Sequence, residues 1–448
     1  MARAKKSGKW EFLKGAAWIA VGGFVAKLIG ALYRIPLTNL IGGRGLGLYQ
    51  MVYPVYCLLL TVSATGIPSS IAKLTAERIG KGESDKQVFT ASMRLFLIIG
   101  LCGTALMAIV APFLAEAQGS KEVLGGYYAL APSVLLVSAI SVFRGWFQGK
   151  NKMYPTALSE MTEQAVKVGF GLLFAYLFRE RVERAVVFLL LAVSLSELGA
   201  LLLMGFLYKR ELVNEKTEKE GGRVALKSIL RLSIPVTFSS ILLPLSGLLD
   251  SVLAPRLLGV YATDAVTLYG LFAGGAVTVI NLPVSVCYGI AAASVPAVAR
   301  ASARRNKGDS PKKRIFFSLL ITLAVALPSA VGLYFFAQPT AKIIFRSLKG
   351  EELAVLIKLI KAFAVSALTL SLVQTLSACL TAQGKPQYAA LSMLVGVTVK
   401  TALYAVWLKN PQTSVYGLAY ATNICYLVVA ALNFLFNMLV SKKKKANR

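Results

Sequence analysis

The chain has 448 residues, of which 56% are hydrophobic and 15% charged, with a formal net charge of +29 and a mean hydropathy of +0.66. So little polar surface excludes a soluble protein of this length. Nucleic-acid binding is excluded as well, because the Lys and Arg residues fall in short runs between apolar stretches rather than along one basic face.

Apolar runs of the ~20 residues that a ~30 Å hydrocarbon core requires recur along the whole chain. Only helices suit them, because lipid cannot satisfy free backbone groups. The first half gives predicted spans at 14–40, 48–72, 90–114, 124–147, 154–178 and 185–208, and the second at 230–257, 266–298, 314–337, 353–380, 387–407 and 414–440. The expected fold class is an all-α polytopic membrane protein of about twelve transmembrane helices. Its expected organisation is an N-terminal six-helix lobe over 1–208, a cytoplasmic linker over 209–228, and a C-terminal six-helix lobe over 229–448 with a basic tail.

Basic residues mark alternate connections. They precede the first span (Lys5, Lys6, Lys9, Lys14), follow the second (Lys73, Arg78, Lys81, Lys86), the fourth (Lys150, Lys152) and the sixth (Lys209, Arg210), and recur after the eighth (Arg300 to Arg314) and at the C-terminal Lys442 to Lys445. Both termini are therefore expected in the cytoplasm. The mixed-charge loop of Arg179, Glu180, Arg181, Glu183 and Arg184 falls on the opposite side.

An internal repeat is also visible. Gln148-Gly149-Lys150, Ala157-Leu158-Ser159 and Lys167 recur as Gln383-Gly384-Lys385, Ala390-Leu391-Ser392 and Lys400, with lysine eight residues after serine in both copies. Leu48-Tyr49 similarly matches Leu268-Tyr269. An even number of spans separates the copies, so the repeats are parallel, and substrate sites of such transporters lie between the halves.

No enzyme motif is present: there is no Walker loop and no GxSxG. The sequence has no histidine, and its five cysteines are scattered through apolar stretches without CxxC, so neither a metal nor a cofactor is expected. Movement of a substrate would be driven by an ion gradient, the membrane potential or a partner.

Ionisable groups inside spans are the candidate site residues. Lys27 and Arg34 share one face of the first span. Arg34 suits either snorkelling or substrate binding. Glu160, Glu163 and Lys167 share a face of the fifth, where Glu163 and Lys167 have the spacing of an i,i+4 pair. Lys400 lies at the depth equivalent to Lys167, with no acidic residue in its own helix. Lys27, Arg34, Lys167 and Lys400 are the expected substrate-binding cations. Glu160, Glu163, Glu197 and Asp250 are the expected gating or charge-balancing groups, with Asp250 a candidate partner for Arg34 or else an interfacial carboxylate.

Several elements together resemble a known family. They are Gly45-Leu46-Gly47-Leu48-Tyr49, Gly66-Ile67-Pro68 with Ile71-Ala72-Lys73, Phe143 to Lys150 followed by Met153, Pro155 and Glu163-Gln164, and Leu282-Pro283 with Val295-Pro296-Ala297. The chain resembles the polysaccharide-biosynthesis and stage V sporulation protein B family of the multidrug/oligosaccharidyl-lipid/polysaccharide (MOP) exporter superfamily, related to lipid II flippases. The resemblance implies two lobes with alternating access, a bacterial plasma-membrane location and a polyprenyl-pyrophosphate-linked saccharide as substrate. It implies cations on the first, second and eighth helices, of which Lys27 and Arg34 match the first, while the second and eighth spans carry no deep cation. Membrane lipids and a coupling ion are the other expected partners. A cation-coupled multidrug antiporter on the same fold and a non-transporting scaffold of a wall- or cortex-synthesis complex are the alternatives.

Overall fold

Side chains with long apolar runs and few breakers fold as helices wherever water is absent, and the order of elements follows. The computed structural model describes residues 2–64, 66–213, 229, 237, 240–303 and 311–446, with side chains described from residue 29 to 441 except at 31, 64, 296, 300 and 303. The first elements are α1 (Ala2–Ala64), α2 (Ile67–Gly80), α3 (Lys86–Ala117), α4 (Leu124–Leu130), α5 (Pro132–Gly149), α6 (Tyr154–Leu177) and α7 (Val182–Val213). They are followed by α8 (Leu242–Leu258), α9 (Ala265–Gly270), α10 (Val277–Ala303), α11 (Pro311–Phe335), α12 (Ala337–Ile344), α13 (Gly350–Phe363), α14 (Val365–Ala382), α15 (Pro386–Trp407) and α16 (Tyr416–Ala446). No strand occurs among the described residues.

Nine helices among the described residues are long and apolar enough to cross a membrane. The first two predicted spans account for part of the difference from twelve. They run together as α1, broken at Gly42, whose φ of 66° and ψ of −171° leave the helical region. Helix α6 is 24 residues long but carries Glu160, Glu163 and Lys167. The linker expected at 209–228 begins inside α7, whose Lys-Arg-Glu end simply prolongs the helix; residues from 214 to 228 lie outside the described residues.

The chain divides into two units: Met1–Leu40 with Met51–Leu248, and Ile41–Gln50 with Leu249–Arg448. In the first, α5 packs against α2, α3 and α7, and α6 packs along α7. Glycines permit the closest of these contacts: a Cβ at Gly145 would lie 2.8 Å from the Pro68 carbonyl oxygen, and one at Gly149 2.8 Å from that of Ala72. Phe89 stacks on Tyr208 at 4.1 Å, and Trp146 meets Tyr208 edge-on at 4.9 Å.

The second unit repeats the plan. Helix α14 packs against α10, α11 and α16, and α15 lies along α16. Buried amides tie this bundle: Asn437 Nδ2 donates to the Leu376 carbonyl at 3.0 Å, and Gln383 Nε2 to Asn437 Oδ1 at 2.7 Å. Between α9 and α10 runs a π-helical turn, Leu271–Ala276, and at its edge Gly270 lies against Gly43 and Gly47, while Gly274 within it lies against the Leu46 side chain. A Cβ at Gly47 would fall 2.1 Å from the Val266 carbonyl oxygen and one at Gly270 2.2 Å from that of Gly43. The Gly43-xxx-Gly47 face thus meets the backbone at Val266 and Gly270 directly, and Gln50 Nε2 seals the crossing by donating to the Ala273 carbonyl at 2.8 Å.

Large apolar side chains on α3 (Ile98, Ile109, Phe113) and α11 (Phe316, Phe317) are exposed. In a membrane protein these faces meet acyl chains, so the exposure costs nothing.

Candidate functional site

The segment Phe143 to Lys150 arranges the chemistry of the first unit. Gly145 and Gly149 give close approach to α2, as above. Trp146 fills the aromatic core, and Lys150 Nζ sits 4.2 Å from its ring centroid and 3.4 Å from Asp85 Oδ2. Arg144 and Gln148, one turn apart, face α6. Arg144 Nε donates to Ser159 Oγ at 2.9 Å, and its Nη2 to Glu163 Oε2 at 3.3 Å. Gln148 Nε2 donates to Thr156 Oγ1 at 3.4 Å.

These groups line a cavity of about 300 Å³, whose charged walls are Arg144, Glu160, Glu163 and Glu197. Glu197 is only 4% exposed, and its Oε1 accepts a hydrogen bond from Tyr56 Oη at 3.2 Å. Lys167 is half-buried and interacts electrostatically with Glu163 and Glu197. Three carboxylates therefore surround one guanidinium on the cavity wall, with an ammonium close by.

The ion-pair partner of Glu163 differs from the one its spacing suggests. The i,i+4 order favoured Lys167, but the guanidinium of Arg144 reaches across from α5 and spans Ser159 and Glu163 together. A planar fork satisfies two acceptors one turn apart better than a lysine on the same helix.

In the second unit the pair is tighter. Lys400 Nζ lies 2.8 Å from Asp250 Oδ2 and 2.7 Å from Oδ1, with the lysine side chain 3% exposed and the aspartate 18%. The ring of buried Tyr404 lies 5.6 Å from the ammonium. Lys400 thus finds on α8 the acidic partner its own helix lacks. Asp250, expected to meet Arg34 or the interface, is held by Lys400, because a carboxylate this well enclosed needs a counter-ion within its own bundle.

Arg34 is half-buried in the first unit and acts electrostatically on Cys57. Glu160 is half-buried on the cavity wall. The side chain of Lys27 lies outside the described residues. Arg144 and Tyr56 were not among the expected site residues. Arg144 stands inside the Phe143 to Lys150 motif, one turn from Gln148, and that pairing is the available signal. Among the described residues no group of three or more His, Cys, Asp and Glu side chains is placed to hold a metal ion.

Comparisons with known proteins agree with this architecture. The profile of polysaccharide biosynthesis proteins matches residues 12–302. Stage V sporulation protein B of Bacillus subtilis (strain 168) is 28% identical over 437 residues, covering 95% of this chain and 83% of that protein. Lipid II flippase MurJ of the same organism is 23% identical over 456 residues, covering 95% and 82%. Among solved structures, a multidrug resistance MATE family transporter of the MOP superfamily in its inward-facing conformation matches with a TM-score of 0.77 at 18% identity, covering 94% of this chain and 96% of that one. Lipid II flippase MurJ in an inward closed conformation matches with a TM-score of 0.69 at 16% identity, covering 93% and 87%. The chain belongs to the polysaccharide biosynthesis protein family, and it is a multi-pass membrane transporter with the fold of the MOP superfamily.

Proposed function

We propose that this transporter is a flippase that carries a polyprenyl-pyrophosphate-linked saccharide, similar to lipid II, from the cytoplasmic to the outer leaflet, with both chain termini in the cytoplasm. The observation that carries the reading is that cations are stored inside both units against carboxylates: Arg144 against Glu163, and Lys400 against Asp250. A carboxylate is a stand-in for a phosphate. It keeps the cation charged and oriented, and an arriving pyrophosphate, with more acceptor oxygens, can take its place. The inside-negative membrane potential favours the direction by ~2.3 kcal/mol per negative charge per 100 mV. The relatedness to a lipid II flippase supports the same substrate class.

The test is a leaflet-exchange assay in proteoliposomes with fluorescent polyprenyl-pyrophosphate saccharides. Wild-type protein should accelerate exchange. Arg144→Lys keeps the charge but loses the fork, and should slow exchange by about ten-fold, the equivalent of one charged hydrogen bond. No acceleration by folded wild-type protein for any such lipid would overturn the reading.

One observation favours a second reading, a cation-coupled multidrug antiporter: three carboxylates line the cavity that Arg144 shares. Proton- or sodium-driven efflux of a cationic dye, with no exchange of pyrophosphate lipids, is the result that would select it.

A further inference from the structure

Helix α12 (Ala337–Ile344) has the strongest separation of apolar and polar faces of any helix whose face separation is described. The chain leaves α11 at Phe336, whose φ of −97° and ψ of 20° end the preceding helix. One side of the new helix is anchored: Ala337 and Ala341 are fully buried, and Phe345 and Leu348 continue the buried side through the following turn. This side packs towards α13.

The other side is bare and divided in two. Phe335, Phe336 and Ile343 are 71%, 65% and 64% exposed. Lys342, Arg346 and Lys349 are also exposed. Lys342 stands in the last turn of the helix, and Arg346 and Lys349 follow it in the turn that connects to α13. Among the described residues none of the three is within ion-pair distance of a carboxylate. Arg44, by contrast, is held by Asp264 at 3.4 Å.

Three cations here are unexpected. In the proposed orientation α11 starts at a cytoplasmic basic loop and ends at the outer surface, where basic residues do not assist insertion. Their cost is compensated if an anion meets them, and the adjacent bare aromatic and aliphatic groups specify what the anion is attached to. A soluble phosphate would leave Phe335, Phe336 and Ile343 in water. A lipid satisfies both halves, since amphipathic helices of this kind seat the apolar side at the acyl boundary and the cations at the headgroups.

We propose that α12 and its following turn form an interfacial docking site for the phosphate headgroup of an anionic phospholipid, with Phe335, Phe336 and Ile343 among the acyl chains and Lys342, Arg346 and Lys349 at the phosphates. The site belongs to the bilayer rather than to the transport cavity, and it gives the second unit a fixed headgroup contact at that end.

Ile343→Trp places a fluorophore at the site. The full-length protein is reconstituted in nanodiscs of mixed phosphatidylcholine and phosphatidylglycerol, with bromine on the chains of one lipid or the other at equal mole fraction. Fluorescence in excess of the chain without Ile343→Trp is read. Quenching by brominated phosphatidylglycerol should exceed that by brominated phosphatidylcholine about two-fold or more. The preference should vanish with Lys342→Gln, Arg346→Gln and Lys349→Gln together. If that combination does not fold, raised salt on the Ile343→Trp protein provides the same test, because headgroup charge is screened. Equal quenching by the two lipids, or a preference that survives both salt and the triple change, overturns the proposal. Quenching by neither would show that protein, not lipid, covers this face. Both leaflets of a nanodisc have the same composition, so the outcome is independent of orientation and of the flippase reading.

Discussion

Removing Lys400 should damage the protein more than removing Lys400 and Asp250 together. With Nζ 2.7 and 2.8 Å from the two carboxylate oxygens, the attraction is about 6 kcal/mol at an effective dielectric of 20. Much of that is offset by taking two ions out of water or headgroup, but the offset is not returned when only one ion leaves. Lys400→Met therefore strands Asp250 among Tyr404, Tyr426 and Cys425, groups that interact electrostatically with it. The expected loss is about 3–5 kcal/mol. Asp250→Leu strands Lys400, 3% exposed, with a loss of similar size. The double variant replaces the pair by apolar groups of comparable volume and should fall within about 1–2 kcal/mol of wild type. Thermal unfolding of the detergent-solubilised protein, followed by fluorescence-detected size exclusion, measures all four corners of the cycle, and these losses imply a coupling of about 4–9 kcal/mol, above the usual ~0.5–3 kcal/mol for residues in contact. Single losses below ~1 kcal/mol that add in the double variant would refute the argument, and would mean that water or lipid headgroups already solvate the pair. The double variant has a second use. If it folds but no longer exchanges pyrophosphate lipids, the Lys400–Asp250 pair serves transport and not stability alone.

The glycine crossing, one buried carboxyl and the membrane orientation each give a further test. Gly270→Val forces side-chain carbon into the Gly43 carbonyl, 2.2 Å from where its Cβ would sit, and should abolish the monodisperse folded species in size exclusion. Gly289→Ala, with open space around it, should leave that species intact. Burial, and behind it the charge of Asp264, pushes the Glu352 carboxyl above its ordinary value; its ionised form is the disfavoured one, so stability is lost as pH rises from the unfolded value through the folded one. Glu352→Gln should accordingly raise the melting temperature at neutral pH and leave it unchanged well below pH 4, and a rise of equal size at both would contradict the assignment. Lys81→Cys should react with an impermeant maleimide only from the cytoplasmic side and Glu180→Cys only from the outside, with the reverse pattern excluding the proposed orientation.

The helices were legible because a bilayer fixes the length of an apolar run and forbids unpaired backbone, so hydropathy alone places most of the elements. The break at Gly42 was not, because glycine in a membrane helix marks close packing as often as a bend. The charged groups divide in the same way. The repeat aligns Lys167 with Lys400 but names neither one's partner. Asp250 and Lys400 are 150 residues apart and meet only because α8 and α15 share a bundle. The Glu163–Lys167 spacing pointed along one helix, whereas the stronger ligand came from the neighbouring helix through Arg144. Local spacing describes a helix in isolation, and the choice among competing cations is made by packing that Gly145 and Gly149 set on the opposite face of α5.

The assignment of residues 41–50 to the second unit, with both flanks in the first, has a consequence for the ancestry and dissection of this protein. If the halves descend from duplication of one ancestral gene, they no longer exist as separable copies, since the N-terminal copy has donated ten residues to its sister. Gly270 is shaped around that donated backbone, and Gly274 around its Leu46 side chain. A polypeptide cut in the stretch between 214 and 228 would yield a C-terminal fragment missing one of its own structural members. Co-expressed fragments should reassemble, and the C-terminal fragment alone should be degraded unless a peptide carrying Ile41 to Gln50 in its helical context is supplied in trans.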